Sequence, residues 1–464
     1  MTATPGYRLD ITCCFCGGSL DIDEAGRTVR CPHCASILRV AREGRTVKYR
    51  FGDRLPEREV RFLIEHHLKK AREPLAQSWQ YLSRVFLPFW RITGLALTIR
   101  RRANEYVPDI IAGADEPRDD ASPVEVTLRH KEVTFCAHET FFWGVESLGV
   151  RAQVGTLIPL EHDFHASHHL LPLTGNWAHA QERFERTVTS TATAVAPPGA
   201  RPETRVISSE AAIIYLPLWV GQFTSVAGTR QVQFDPLARR VVALLNADAN
   251  LPAADTQTTL DSVHIVPHRC PNCGADLPER ARAVAFFCAG CRRLFLEDGR
   301  GYREHPMRMP GAPEPGQRLF PLWVFDLQRP VDGDTALLME SIKLLGFRND
   351  LFLVPAFELT NPTRLLRLVI HYNRRSQLPH FEAAQLRPDF FADVSVSPHL
   401  AARLVLPLTL AARALNGFPA GEIPSLSECG LADPELVWLP YAAERYFWHE
   451  VITGASIERA AVHC

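Results

Sequence analysis

The chain has 464 residues, 46% of them hydrophobic and 22% charged, which is the balance of a globular protein with material for two or three domains. Disordered, collagen-like and small disulfide-scaffold classes are excluded, and a formal net charge of −1 excludes a uniformly polybasic chain. The charge is unevenly spread: residues 1–104 hold 19 Lys+Arg against 10 Asp+Glu, so the remainder is acidic. A basic first third can face nucleic acid, an acidic partner, or the acidic remainder of its own chain.

In chain order, the opening "MTATPGYRLDIT" has neither a basic start nor an apolar core, so no secretory signal is expected and the expected location is cytoplasmic. Cys13, Cys16, Cys31 and Cys34 follow with the spacing C-x2-C-x14-C-x2-C. The 14 intervening residues carry Gly26 between short alternating stretches, which predicts a hairpin. "LPEREVRFLIEHHLKKARE" (55–73) predicts a helix, with Pro56 at its start, acids in the first turn and bases in the last. Its apolar stripe is Val60, Leu63, Ile64, His67 and Leu68.

"VFLPFW" (85–90) is the first of several strands that run into proline and then an aromatic. It is followed by Arg100–Arg102, the densest basic point, and by an acidic loop over 113–123. "LGVRAQVGTLIP" (148–159) leads to the histidine-rich "EHDFHASHH" (161–169), then to a proline-rich loop over 192–205. Ala211–Gly221 is the longest apolar run; it contains Pro217, is too short for a membrane span, and predicts a buried strand. It holds "IYLPLW" (214–219) and opens a hairpin over 220–235.

Cys270, Cys273, Cys288 and Cys291 repeat the first quartet's spacing, each 257 positions after its counterpart. Beyond them come a proline-rich loop over 304–317, "RLFPLW" (318–323), "LGFRNDLFLVP" (345–355) and "FLVPAF" (352–357). Residues 399–417 predict helical turns broken at Pro407 and stopped at Gly417; "VWLPYA" (437–442) and a hairpin over 446–462 end the chain. Proline donates no ladder hydrogen bond, so the Leu-Pro strands are expected at sheet edges or bends.

Two cysteines three apart on a tight turn aim both sulfurs at one ion, and a following glycine suits positive φ. Two such knuckles close a tetrahedral thiolate cage, the preferred site for Zn²⁺, while ligand type alone leaves iron open. Each quartet resembles a zinc ribbon of the rubredoxin-like kind over about 30 residues. The resemblance implies two structural Zn²⁺ ions per chain and says nothing about the rest of the sequence. Four protein thiolates leave no coordination position for a substrate. Cys14 aligns with Pro271 and is a spacer; Cys136, Cys429 and Cys464 are ordinary thiols.

The two halves share one order: ribbon, Pro-x-Trp strand, Leu-Gly-x-Arg strand, Leu-Pro strand, hairpin. The expected fold is mainly β with some α, an internally duplicated module, each copy a zinc ribbon followed by an antiparallel β domain. The boundaries read as 8–50 (first ribbon), 51–250 (first β-rich module), 262–310 (second ribbon) and 311–464 (second β-rich module), with Trp323 the counterpart of Trp90.

Phosphate loops, dinucleotide fingerprints and nucleophile elbows are missing from the sequence. His165 and His169 are four apart, with His162, Asp163 and His168 nearby, but a zincin needs Glu where Ala166 stands. That stretch reads as a polar loop. The expected function is a non-catalytic, zinc-stabilised scaffold or adaptor that binds other proteins in a cytoplasmic complex. Nucleic-acid binding through the basic first module ranks second, and a metal-dependent enzyme using the 161–169 loop third.

Overall fold

The computed structural model describes residues 7–24, 26–42, 46–52, 55–101, 124–139, 142–149, 151, 155–161, 164–196, 202–246, 252–254, 263–297, 301–332, 336–348, 350–359, 362–374, 379–383, 391–416 and 430–462. The chain is mainly β. The first quartet sits among β1 (Arg8–Thr12), β2 (Ser19–Asp23), β3 (Thr28–Arg30) and β4 (Ile37–Arg42). The hairpin expected inside the quartet does not form: β2 pairs with β1 and β3 with β4, both antiparallel. Each arm is thus folded back by a cysteine knuckle, which brings paired strands together at a turn of fixed geometry.

β5 (Thr46–Phe51) leads to helix α1 (Glu57–Ala71), which starts after Pro56 and ends at Arg72 with φ 59°. Val60, Ile64 and Leu68 are buried against Phe223, Val232 and Phe234, whereas His67 is exposed and leaves the expected stripe. The module continues with β6 (Ser78–Arg101), β7 (Val124–Cys136), β8 (Thr156–Pro159), the single turn α2 (Phe164–Ser167), β9 (His169–Leu170), α3 (Trp177–Ala194), β10 (Pro202–Ser225), β11 (Gly228–Asp235) and β12 (Arg240–Asn246). These strands form a sheet in the order β12-β11-β10-β5-β8-β1-β2, with β6 joining β10 to β7 and β9. The sheet is mixed rather than antiparallel, because β10–β5, β1–β8 and β6–β9 run parallel.

The second quartet lies among β13 (Val263–Pro267), β14 (Ala285–Phe287), β15 (Leu294–Glu297) and β16 (Tyr302–His305). There follow β17 (Arg308–Met309), β18 (Gln317–Asp326), β19 (Pro330–Asp332), α4 (Ala336–Leu345), β20 (Leu351–Pro355), α5 (Pro362–Arg374), β21 (Glu382–Ala383), α6 (Pro398–Leu415), β22 (Gly430–Leu431), β23 (Glu435–Ala443), β24 (Phe447–Glu450) and β25 (Ser456–Glu458). The main sheet runs β20-β18-β23-β17-β21, extended by β24 and β25. Helix α6 continues through Pro407 instead of breaking there; Gly417 lies outside the described residues.

Of the proline-containing strands, β20 is the edge of its sheet as expected, whereas β6, β10, β18 and β23 have partners on both sides. β6 and β10 are interior strands paired from Ser78↔Thr224 to Arg100↔Pro202. Pro88 is tolerated because its flank changes partner there: β7 pairs from Phe89 onward and β9 only up to Phe86. The Pro88 carbonyl accepts from Ala137 N–H at 2.9 Å, so the donorless nitrogen faces the same gap. Pro217 falls likewise between β5, which pairs up to Tyr215, and β11, which pairs from Trp219. No ladder bond is lost at either proline.

The same local pairing recurs in the second half. Leu87 faces Leu216 and Phe320 faces Leu439, each residue directly preceding a proline. Ala137 N–H donates to Pro88 O, and Ala356 N–H to Pro321 O at 3.0 Å. Leu171 N–H donates to Phe86 O, and Ala392 N–H to Leu319 O; five residues later stand Asn176 and Ser397, the caps of α3 and α6, both 18 residues long. Asp235 and Glu450 are both buried and both accept backbone N–H bonds from two and three residues on.

One apolar cluster runs across both halves. Leu95, Leu97 and Ile99 of β6, Val126 and Leu128 of β7, and Ile207 of β10 are buried with Leu366, Val369, Leu404 and Val405 of α5 and α6. The far ends of β6, β7 and β10 therefore have their apolar faces covered by α5 and α6.

Candidate metal centres

All four knuckles share one hydrogen-bond pattern. Gly17 N–H donates to Cys13 O, Ala35 to Cys31, Gly274 to Cys270 and Arg292 to Cys288, at 2.8–2.9 Å. The donor residue has positive φ each time: 70° at Gly17, 60° at Ala35, 73° at Gly274 and 57° at Arg292. The glycine signal marked the first knuckle of each pair. The second knuckles use Ala35 and Arg292 in the same left-handed conformation, at a cost of about 1–2 kcal/mol that the closed site must offset.

Each knuckle pair converges as expected. The four Sγ atoms of Cys13, Cys16, Cys31 and Cys34 lie within 4.8 Å of one another, as do those of Cys270, Cys273, Cys288 and Cys291. Cys13–Cys34 are 3.8 Å apart, Cys16–Cys31 3.7 Å, Cys270–Cys291 3.6 Å and Cys273–Cys288 3.5 Å. A zinc ion about 2.3 Å from four tetrahedral sulfurs puts them about 3.8 Å apart, whereas a disulfide needs about 2.05 Å. The donors fit a metal ion, and zinc is a plausible occupant. Backbone supports the cage further, with Phe15 N–H 3.5 Å from Cys13 Sγ.

The surroundings split the thiols. The Ser36 hydroxyl and its backbone N–H hold Cys34 down to about 6, and burial pushes Cys270 up to about 12. Cys14 is exposed and outside the cage, and the half-buried Cys136 thiol is pushed up to about 11 by desolvation. Cys429 and Cys464 lie outside the described residues.

The strands around the two quartets are locked together, which the sequence did not reveal. β13, leading into the second quartet, adds antiparallel to β4 of the first, from Val263↔Arg42 to Pro267↔Leu38. Within the ribbons β3–β4 and β14–β15 hold the same register, Thr28↔Arg39 and Ala285↔Leu296. Glu297 accepts from both Arg39 (3.0 Å) and Arg27 (3.2 Å), and Arg30 pairs with Glu279 at 3.1 Å. Arg27 N–H donates to Ala281 O, and Arg280 N–H to Thr28 Oγ1.

Part of the basic first third is thus paired within the chain. Arg91 is buried between Glu24 and Glu132, Arg100 pairs with Glu125 at 3.6 Å, and Arg8 with Asp21 at 2.8 Å. Arg102 lies outside the described residues.

In the histidine stretch, His162 and Asp163 lie outside the described residues. His168 stacks on Phe164 with centroids 3.8 Å apart and its Nδ1 is 2.8 Å from Ser167 Oγ. His169 Nε2 is 2.9 Å from Pro252 O. Among the described residues, the groups arranged to hold a metal are the two quartets. No helix among the described residues is long and apolar enough to cross a membrane. Comparison with protein-family models, curated proteins and solved structures finds no match to this chain.

Proposed function

We propose that this chain is a non-catalytic scaffold or adaptor, stabilised by two structural zinc ions, that binds other proteins in a cytoplasmic complex. The observation that carries this reading is the closure of both thiolate cages at the junction where the ribbons dock. A metal with four protein sulfurs has no open position for substrate, so its contribution is folding energy rather than chemistry. Cys13, Cys16, Cys31 and Cys34 would hold one ion, and Cys270, Cys273, Cys288 and Cys291 the other. The recurring strand registers support descent of the halves from one duplicated module.

The partner surface is proposed at the C-terminal hairpin. Tyr446, Phe447, Val451 and Ile452 are exposed within seven positions, a concentration of large apolar side chains that scattered surface residues do not produce. The pairing of Arg27, Arg30, Arg39, Arg91 and Arg100 with this chain's own acids supports a protein over a nucleic acid as the partner. The test is cross-linking in the native host with a photoreactive residue in place of Tyr446 or Ile452, read by mass spectrometry. Specific cross-links to one or a few proteins are expected. Cross-links to nucleic acid, or none from either position, would overturn the reading.

A further inference from the structure

A charged cleft lies away from the metal centres. Strand β5 alternates its side chains, with Tyr49 and Phe51 buried in the core, so Arg50 points to the opposite face. Its backbone is fixed on both sides, opposite Tyr215 of β10 and Ile158 of β8. There Arg50 lines a cleft of about 360 Å³ with Arg84, Glu161, Phe164, Ser167 and His168. That volume is in the range of small-molecule sites.

The cleft is built rather than incidental. The Arg50 guanidinium lies 4.5 Å over the Phe164 ring, which also stacks on His168 and meets the edge of Phe86 at 4.9 Å. The His168 ring is held by Ser167 Oγ and by Phe164 O, 3.1 Å away. Arg50 makes no hydrogen bond or ion pair among the described residues, and its Nε is buried without a partner. Burial and the neighbouring Arg84 lower its pKa, while Glu161 works the other way. A half-buried guanidinium without an acceptor is a cost to the folded state, relieved when an acceptor enters.

Two guanidiniums, those of Arg50 and Arg84, line this cleft with one carboxylate, Glu161. A singly charged anion suits that lining, because a dianion would meet Glu161. The planar fork of arginine matches a carboxylate through two parallel N–H···O bonds. We propose that the cleft binds a small monocarboxylate, with Arg50, braced against the Phe164 ring, as the principal donor and Arg84 as the second. This proposal is independent of the scaffold reading.

The probe is benzoate, compared with its neutral isostere benzamide and with inorganic phosphate, titrated into the zinc-loaded full chain by ligand-observed NMR. Saturable benzoate binding is expected, with benzamide and phosphate far weaker. Arg50→Gln should raise the benzoate Kd roughly ten- to a hundredfold, the loss expected for charge-assisted hydrogen bonds, with zinc content unchanged. A measurement on the unaltered protein guards against misfolding: phenylglyoxal should modify Arg50, and benzoate should protect it. Equal binding of benzamide or phosphate, an unchanged Kd in Arg50→Gln, or no protection of Arg50 would each overturn the proposal.

Discussion

Replacing Glu297 by Gln tests whether the two ribbons act as one clamp. The Glu297 side chain is 4% exposed and accepts from Arg39, 7% exposed, and Arg27, 42% exposed. Removing one partner of a buried ion pair costs about 3–5 kcal/mol, because the remaining charge stays desolvated. Arg27 reaches water and adds at most about 1 kcal/mol. Gln keeps a carbonyl acceptor, and the Arg39 guanidinium, 5.0 Å over the Tyr302 ring, retains that contact. The lower end applies, about 3 kcal/mol. Urea denaturation of zinc-loaded protein should show that loss for Glu297→Gln. The double change Arg39→Met with Glu297→Leu should lose less than Glu297→Gln alone, since no buried charge is left behind. A loss for Glu297→Gln below about 0.5 kcal/mol, the range of ordinary surface changes, would refute the reasoning. So would a double variant that simply sums the two single losses.

Metal analysis of purified protein should give about two zinc ions per chain, falling to one in Cys16→Ser and staying at two in Cys14→Ser, whose sulfur lies outside the cage. Gly94→Ala should destabilise by about 1–3 kcal/mol in thermal unfolding, the cost of overpacking, because its Cβ would lie 2.5 Å from Ser208 O and 2.9 Å from the Phe184 ring. Burial lowers the pKa values of His130 and His305, so the unfolded chain binds more protons than the folded one below the ordinary histidine range. Their contribution is therefore full above about pH 6.5 and declines as the pH falls; denaturation of His305→Gln should show a shallower decline than wild type, and an equal slope would count against it.

The metal centres were legible because their geometry is local. A C-x2-C knuckle is closed by its own backbone bonds, so spacing alone brought each quartet's sulfurs within one site. Helix α1 and the hairpins at Ser225↔Gly228 and His449↔Ser456 were legible for the same reason: period, terminal charges and turn residues act within a few positions. Helix α3 was missed although Asn176, which caps it, and its buried Ala180, Phe184, Val188 and Ala192 repeat at helical spacing. Pro407 misled because its effect depends on surroundings, and α6 is packed on several sides, with Leu404 to Ala414 buried throughout.

Which strand lies beside which was not in the sequence pattern. Alternation states which face of a strand is buried but not which neighbour completes its ladder, and that choice is made by long-range burial. So the amino-acid sequence by itself determined the two cysteine clusters, the strand-rich class and the turns that close each knuckle. Only the tertiary structure decided that β3 would join β4 rather than β2, and that β13 would cross to the first ribbon. It also decided that Pro88 and Pro217 would sit inside a sheet, at gaps between partner strands where no donor is required. The Arg50 cleft belongs with these, since β5, β6 and the turn at Phe164 meet there only after the sheet has formed.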